Sequence, residues 1–351
     1  MTAVPLSVGD VTMPATHAPR RSWALRFAVL VLVCILPLAL EDYQLSLVVS
    51  ALIAALGALA LTLVTGFVGL VTAGNAALLA LGAYGAAFGA VQMDLPFLPV
   101  VVGSVLAGSV VGLITGLPAL RVSGIYLAIA TLALHFILIF AFNSYQTHEV
   151  GSAGFFLPVA SIGGLDIDTT FKWYVVVVVV VAVTWWLVEN LKRSKFGRAW
   201  MLIRDTPLAA ASQGISLPVY KLMAFVISSA IISLSGTLLA YFQQAVYIES
   251  FTLDLAIQYI AMVIIGGMGS TGGAIAGACF VVLLPSTLSR IIGVLPADAP
   301  AAGFLEQNLG DMQLVIYGTL IVVFLAWRPD GLAGLGRWLA SIRRPRLRGV
   351  R

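Results

Sequence analysis

The residue types that could carry out chemistry are few in this sequence, and their spacing fits no common catalytic motif. The three histidines, His17, His135 and His148, are far apart, and the two cysteines, Cys34 and Cys279, lie alone in apolar runs. No zinc-protease, nucleophile-elbow, paired-cysteine or phosphate-loop signature occurs. The sequence therefore predicts that the protein is not an enzyme, and it predicts no bound metal and no cofactor.

One glycine pattern has the spacing of a nucleotide site. Gly267, Gly269 and Gly272 in "GGMGSTGG" satisfy the GxGxxG fingerprint of dinucleotide-binding proteins. That fingerprint must follow a strand and open a helix within a βαβ unit. Here it joins two apolar runs, so we interpret it as a break between two membrane segments.

The elements that surround these residues are strongly apolar. Sixty percent of the 351 residues are hydrophobic and only ten percent are charged, which is typical of a membrane protein. A bilayer span needs roughly 20 apolar residues. Runs of about that length cover 23–40, 44–66, 75–92, 97–117, 124–142, 173–189, 219–241, 255–267, 274–290 and 313–327. We predict an all-α, polytopic membrane helix bundle with about ten spans.

The distribution of charge predicts the orientation, because Lys and Arg collect in cytoplasmic loops. With the amino terminus inside, ten spans leave only Lys172 and Arg290 of the 19 basic residues on the outer side, where most acids fall. We predict cytoplasmic tails at 1–22 and 328–351 around a transmembrane domain at 23–327. The basic carboxyl-terminal tail is interpreted as a topogenic signal and not as a nucleic-acid site.

The predicted spans carry little that could couple transport to an ion gradient. Ion-coupled transporters keep ionisable residues inside the bilayer, and the span interiors here hold only His135, in "ATLALHFILIF". We interpret this lone histidine as an interhelical hydrogen-bonding residue, with a proton relay as the less favoured alternative. The energy for any active transport is then expected to come from another subunit.

Two segments, "TGFVGLVTAGNAALLALGAYGA" and "GGMGSTGGAIAG", interrupt the apolar sequence with glycine and small polar residues. Broken segments at membrane depth can line a translocation path, and the alternative is a tight turn. We predict structural roles for the glycines at their breaks, namely Gly66, Gly69, Gly74, Gly266, Gly267 and Gly269. Polar residues near the breaks or in mid-span are candidates for the path, namely Thr72, Asn75, Tyr126, Gln258 and Ser270.

The loop at 191–218 is the longest basic loop, and it contains a short predicted helix. Thr206 suits the N-cap, Pro207 the first helical position and Gly214 the left-handed closing position. A second helix start follows at Ser216. Upstream, Phe196, Trp200 and Ile203 recur at helical spacing, so we expect an apolar face that lies in the headgroup interface. The loop would then hold out a rigid stub suited to docking on a partner.

These motifs resemble those of the LivM-type permeases of bacterial branched-chain amino acid ABC importers. The similarity is carried by the loop "RSKFGRAWMLIRDTPLAAASQGISLPVYKLMAFVISS" and by "LTLVTGFVGLVTAGNAALLALGAYGA", "LRVSGIYLAIATLAL", "AMVIIGGMGSTGGAIAGACFVVLLP" and "RPDGLAGL". It implies a bacterial inner-membrane subunit that pairs with a homologous permease, two cytoplasmic ATPases and a periplasmic binding protein. Its substrates would be branched-chain amino acids or related small amino acids and amides.

The resemblance also implies which residues couple the protein to an ATPase. They are Arg204, Thr206, Pro207, Ala209, Ala210, Gly214 and Ile215. Two departures from the family pattern stand out. Ala211 takes the place of an acid in the coupling motif, and "THEVGSAGF" replaces a Gly-Gly-Ser-Asp-Gly type run in an outer loop. The alternative function is a stand-alone, ion-independent facilitator channel for small polar solutes.

Overall fold

A computed structural model describes residues 40–122, 124–293 and 309–327, together with 37, 331, 332 and 334. The tail at 1–22 and nearly all of the predicted first span at 23–40 and of the tail at 328–351 lie outside these described residues. All elements below belong to the unit that starts at Asp42.

Helices make up almost all of the described chain. They are α1 (Asp42–Leu61), α2 (Asn75–Ala87), α3 (Phe97–Ala119), α4 (Ile125–Glu149), α5 (Thr170–Arg193), α6 (Lys195–Asp205), α7 (Pro207–Ser212), α8 (Leu217–Gln243), α9 (Leu253–Gly266), α10 (Thr271–Gly293) and α11 (Leu309–Trp327). Two π-helical turns, Thr62–Val68 and Phe88–Gln92, continue α1 and α2. The predicted all-α bundle fits this architecture.

Seven helices of the described part are long and apolar enough to cross a membrane. They are α1 with its π turn, α3, α4, α5, α8, α9 with the turn before it, and α10. The predicted span at 75–92 is instead a helix of 13 residues that ends in a π turn, and α11 contributes the shorter apolar stretch Leu314–Phe324. The count of about ten spans is therefore not confirmed.

Glycine sets how closely the central helices approach, and α8 packs along both α2 and α3. An added Cβ at Gly112 of α3 would lie 2.6 Å from Cβ of Ser229 on α8, and one at Gly116 would lie 2.7 Å from Leu222. Between α2 and α8, a Cβ at Gly82 would collide with the carbonyl of Ser233. The four-residue glycine spacing on α3 thus marks helix contact, as small residues do where lipid supplies no hydrophobic drive.

Two ends of the bundle differ in their loops. At one end, which we call the loop end, lie α6 and α7. At the other, the hairpin end, strand β1 (Phe155–Phe156) pairs antiparallel with β4 (Ala245–Val246), and β2 (Ser161–Ile162) with β3 (Leu165–Asp166). The β1–β4 pair ties the segment after α4 to the segment after α8.

A buried amide secures the β1–β4 junction. Oε1 of Gln146 accepts hydrogen bonds from the hydroxyl of Tyr84 at 2.5 Å and from the backbone N–H of Ile248 at 3.2 Å. Phe142 stacks on Tyr84 with ring centroids 4.9 Å apart, and Phe155 meets the same ring edge-on. At the hairpin end, aromatic rings thus pack around one neutral polar group, the side-chain amide of Gln146.

Candidate coupling loop and internal polar cavity

The short helix α7 is a capped unit that begins at Pro207 and ends at Ser212. Thr206 occupies the N-cap position but makes no side-chain cap hydrogen bond. At the other end the N–H of Gly214 donates to the carbonyl of Ala211 at 3.0 Å, and the N–H of Ile215 donates to that of Ala210 at 3.0 Å. With φ of +78° at Gly214, this is a Schellman motif, which fixes where the helix stops.

The two faces of α7 differ sharply in exposure. Ala210 is fully buried against the protein's own core, whereas the side chain of Leu208 is 88% exposed. Ala211 and Ser212 are also exposed. Sequence reasoning did not single out Leu208, although the 100° turn per residue places it away from a buried Ala210. The outward face is thus formed by Leu208 and Ala211.

Helix α6 packs on the protein and not in a headgroup layer. Trp200 is fully buried, and its indole N–H donates to the carbonyl of Tyr220 at 2.8 Å. Ile203 is 2% exposed and belongs to the same apolar cluster, together with Phe67. The expectation of a membrane-interface face is therefore wrong for Trp200 and Ile203. The start of α8 and the π turn after α1 supply the apolar surface that covers them.

The two glycine-broken segments meet each other at the loop end. An added Cβ at Gly66 would lie 2.6 Å from the backbone nitrogen of Gly269 and 2.9 Å from its Cα. Further along, Gly331 is packed so closely on Gly267 and on the carbonyl of Ile265 that a Cβ there would collide. The absence of side chains thus allows direct contact between backbones.

Arg204 of α6 contacts both segments. Its Nη1 donates to the carbonyl of Gly66 at 2.5 Å, and its Cγ would lie 2.7 Å from a Cβ at Gly69. The same Nη1 would be 3.5 Å from a Cβ at Gly269. Gly69 has φ of +78°, so a side chain there would be strained as well as blocked.

The carboxyl end of α5 holds the second segment from the other side. Nζ of Lys192 donates to the carbonyl of Gly269 at 3.3 Å and lies 5.3 Å from the ring centroid of Phe67. Oε2 of Glu189 accepts from Thr271 at 3.0 Å, while its Oε1 accepts from Arg193 at 3.0 Å. The second broken segment is therefore attached to the carboxyl end of α5, while Arg204 near the end of α6 holds the first.

The first broken segment begins in the π turn that contains Gly66, and its non-helical part, residues 69–74, turns back into the bundle before α2 starts. Its N–H at Ala73 donates to Oγ1 of Thr131 on α4 at 3.1 Å. The Thr72 hydroxyl lies 3.4 Å from Oδ1 of Asn75. Asn75, the first residue of α2, is 4% exposed. The side chain of Thr131, which lies on another helix, thus satisfies one N–H group of this non-helical backbone.

The second segment, residues 267–270, is a tight turn with local hydrogen bonds. The N–H of Ser270 donates to the carbonyl of Gly267 at 3.2 Å, and the hydroxyl of Ser270 accepts from the N–H of Gly273 at 3.1 Å. Gly267 and Gly269 have φ of +109° and +83°, which favours glycine at both positions. Gly266 packs closely on Gly273 of α10. Ser270 therefore caps α10.

A polar cavity lies where the first segment enters the bundle. It is lined by Thr72, Gly74, Asn75, Thr115, Thr131, His135, Ser228 and Ser229 among apolar neighbours. The last four of these residues lie on α4 and α8, and Ser228 and Ser229 sit near the middle of the 27 residues of α8. The space open to water centres is about 20 Å³. That volume holds about one water molecule.

Two buried side-chain atoms in this cavity have no hydrogen-bond partner within the described residues. They are Nδ1 of His135 and Oγ of Ser229, and both side chains are at least 98% buried. Sequence reasoning missed Thr115, Thr131 and Ser229, because a hydroxyl on an apolar helix gives no sign of which helix it faces.

The predicted path residues do not all come together. Thr72 and Asn75 line the cavity. Tyr126 is 73% exposed on α4, Gln258 is half-buried on α9, and Ser270 caps α10. Any role of these five in transport stays a prediction.

The comparisons with known proteins agree on one family. The family model described as "Branched-chain amino acid transport system / permease component" matches residues 43–325. The "High-affinity branched-chain amino acid transport system permease protein LivM" of Escherichia coli is 28% identical over 303 residues, which are 80% of this chain and 67% of that protein. The protein of the same name from Salmonella typhimurium has the same identity and coverage.

A more distant relative has a different subunit name. The "Probable branched-chain amino acid transport permease protein LivH" of Methanocaldococcus jannaschii is 28% identical over 246 residues, which are 66% of this chain and 72% of that protein. No solved structure matches the chain significantly.

Proposed function

This chain belongs to the LivM-type family of branched-chain amino acid transport permeases, and we propose that it is the membrane subunit of an ATP-binding cassette importer. Its substrates are branched-chain amino acids or related small amino acids and amides. Two cytoplasmic ATPases supply the energy, a homologous permease completes the membrane part, and a periplasmic binding protein delivers the substrate. The site is a transport and coupling site with no catalytic residue of its own.

One observation carries this proposal, namely the projection of α7 with its exposed Leu208. A leucine exposed to 88% in a helix capped at its carboxyl end is suited to fill an apolar groove on a partner. Ala210 on the opposite face anchors the helix to the protein's own core. Docking thus falls to Leu208 and Ala211, while Ala210 and Ile215 hold the helix in place.

The basic residues support the orientation in the bacterial inner membrane. At the loop end the described chain carries Arg121, Lys192, Arg193, Lys195, Arg198, Arg204 and Lys221. Lys172 precedes the first membrane-embedded turns of α5 at the hairpin end, and Arg290 lies near the end of α10. This asymmetry favours a loop end in the cytoplasm, with both termini on the same side.

The internal cavity supports a transporter whose helices must move, more than an open channel. Sites for small organic ligands typically occupy about 300–1,000 Å³, and the space here admits about one water molecule. A path along Thr72 and Asn75 therefore opens only when the surrounding helices separate. In an importer, ATP binding and hydrolysis in the partner subunits drive that separation.

The test compares Leu208→Glu with Leu165→Glu, the same change at an exposed leucine of the hairpin end. Each variant is produced with the ATPase subunits, purified in detergent and assayed for ATPase that copurifies. Leu208→Glu is expected to lower the ATPase recovered by about tenfold or more, because a buried charge opposes docking, and Leu165→Glu to leave it unchanged.

A transport assay separates the importer from the facilitator channel. Proteoliposomes that hold the wild-type permease pair, with and without the ATPases and ATP, are tested for uptake of radiolabelled leucine. Uptake is expected only with ATPases, ATP and the binding protein. Uptake by the wild-type protein alone would contradict the proposal and support the facilitator.

A further inference from the structure

We propose that Arg204 and Lys192 act as a clasp that fastens both glycine-broken segments to the coupling loop and transmits the movement of α7 to both. The clasp consists of these two cations and the carbonyls of Gly66 and Gly269 that accept from them. This inference rests on the proposed ATPase coupling for its function, although its geometry is independent of that function. Arg204 is in this view a positioning residue and not a docking residue.

The clasp combines charge with close packing. Nη1 of Arg204 is 2.5 Å from the carbonyl oxygen of Gly66, and Nζ of Lys192 is 3.3 Å from that of Gly269. The methylene stem of Arg204 rests on Gly69. Since Gly66 and Gly269 are themselves in backbone contact, neither segment can shift at this point without displacing the other or breaking a bond to a cation.

The acceptors are carbonyls that regular helix bonding leaves available. Gly66 lies in the last turn of the π-helical segment Thr62–Val68, and Gly269 lies in the turn between α9 and α10. The last carbonyls of a helix lack partners within it and carry partial negative charge. A guanidinium donor is therefore well matched to Gly66, while the carbonyl of Gly269, in the turn before α10, accepts from the ammonium of Lys192.

The charged groups near the clasp do not occupy the two donor atoms of Arg204 and Lys192 that bind the carbonyls. Asp205 lies 3.4 Å from Nε of Arg204, which leaves Nη1 for Gly66. Glu189 binds Arg193 and Thr271. Apart from the ion pair between Arg204 and Asp205, the two clasp cations thus face backbone carbonyls and the Phe67 ring.

The clasp is connected to α7 by a short and rigid route. Arg204 stands three residues before Pro207, where α7 begins. Lys192 lies at the corner between α5 and α6, where a Cβ on Gly197 would collide with its carbonyl. A displacement of α7 therefore moves Arg204, and through it Gly66 and Gly269. The first segment continues to Asn75 in the cavity wall, and the second continues into α10.

Hydrogen exchange of the purified permease tests the clasp without any partner. In Arg204→Gln, amide exchange of residues 66–74 and 267–274 is expected to rise by about tenfold or more, the effect of losing a hydrogen bond to a charged donor. Arg198→Gln is the matched control, because Arg198 is exposed on the same helix and donates to the carbonyl of Arg193. It should leave both segments unchanged.

Two further variants keep the result interpretable if Arg204→Gln folds poorly. Arg204→Lys retains a donor for Gly66 and should raise exchange less than Arg204→Gln. Lys192→Met keeps an apolar stem over Phe67 but loses the bond to Gly269, so exchange should rise chiefly in 267–274. Unchanged exchange of both segments in Arg204→Gln and Lys192→Met would overturn the clasp.

The ratio of ATP hydrolysed to leucine transported tests transmission in the reconstituted importer. Arg204→Gln should keep the copurifying ATPases, since Leu208 is intact, while the ATP spent per leucine rises by about tenfold or more. An unchanged ratio would overturn the transmission role. A wild-type permease that binds no ATPase would instead overturn the proposed function, and the exchange result would still decide the clasp.

Discussion

The two broken segments have similar glycine-rich sequences, but they satisfy the hydrogen bonding of their non-helical backbone in different ways. In residues 69–74 the N–H of Ala73 donates to Thr131 on a distant helix, and the segment leads to a cavity at mid-depth. In residues 267–270 the bonds from backbone N–H groups stay within the turn and its own helix start, through Gly267 and the Ser270 cap, while the carbonyl of Gly269 accepts from Lys192. Backbone polar groups at membrane depth must be satisfied by protein or by water, and the two segments use different partners for this.

The difference indicates which segment changes its hydrogen bonding when other helices of the bundle move. The first segment depends on the position of α4, so a movement of α4 alters its hydrogen bonding. The second keeps its local N–H bonds without help from another helix, and its bond from Lys192 attaches it to α5, so it acts as a support. One segment is therefore suited to respond and the other to anchor, although each accepts a hydrogen bond from one cation of the clasp.

The largest expected effect comes from the point at which the two segments touch. Gly66→Ala places a methyl group 2.6 Å from a backbone nitrogen of Gly269, and we expect it to lower the free energy of unfolding by about 3 kcal/mol, as overpacking against an unyielding neighbour does. Gly272→Ala is the control, because nothing lies within 4 Å of its added Cβ. The apparent Tm in detergent should fall for the first and stay equal or rise for the second.

A result in which both variants melt alike would contradict the contact between the segments. A fall for Gly272→Ala alone would reverse their assigned roles, since the second segment would then be the crowded one.

The sequence predicted the starts and ends of the short helices at the loop end of the bundle well. The start of α7 at Pro207, its closure at Gly214 and the start of α8 after Ser216 follow from local rules, and all three are found. A proline at the first helical position and a left-handed glycine act over a few residues, so the local sequence is enough to predict them, although neither Thr206 nor Ser216 makes a side-chain cap hydrogen bond.

Features that depend on distant partners could not be predicted. Trp200 and Phe196 share one predicted apolar face, yet Trp200 is fully buried and Phe196 is 39% exposed. Only the placement of α8 decides between them. In the same way the resemblance placed Arg204 among the ATPase-coupling residues, which stays a prediction, but nothing in the sequence indicated that its side chain bonds Gly66, 138 positions away in the chain. The local sequence shows that a charged residue is present, but the tertiary fold determines which group it contacts.

A smaller effect should distinguish the long-range bonding of the first segment. Thr131→Val keeps the shape of the side chain but removes the acceptor of the Ala73 N–H, and leaving a buried donor unpaired costs about 2 kcal/mol. Thr115→Val is matched to it, since Thr115 also lines the cavity but donates only to Gly112 of its own helix. Amide exchange of residues 69–75 should rise in Thr131→Val and not in Thr115→Val.

Equal exchange in these two variants would mean that the first segment, like the second, holds its shape through local bonds. The contrast between a responsive and an anchoring segment would then be lost.

The smallest expected effect concerns the second segment. Ser270→Ala removes the hydroxyl that accepts from the N–H of Gly273, and loss of such a helix cap typically costs about 1 kcal/mol. Because the backbone bond from the N–H of Ser270 to Gly267 remains, the turn should keep its shape. The variant should therefore lower the apparent Tm slightly while the exchange of residues 69–75 stays as in the wild type. If exchange at 69–75 rose together with the loss of this cap, the second segment would be transmitting changes to the first, and the anchor would have to be placed in the cations Arg204 and Lys192 alone.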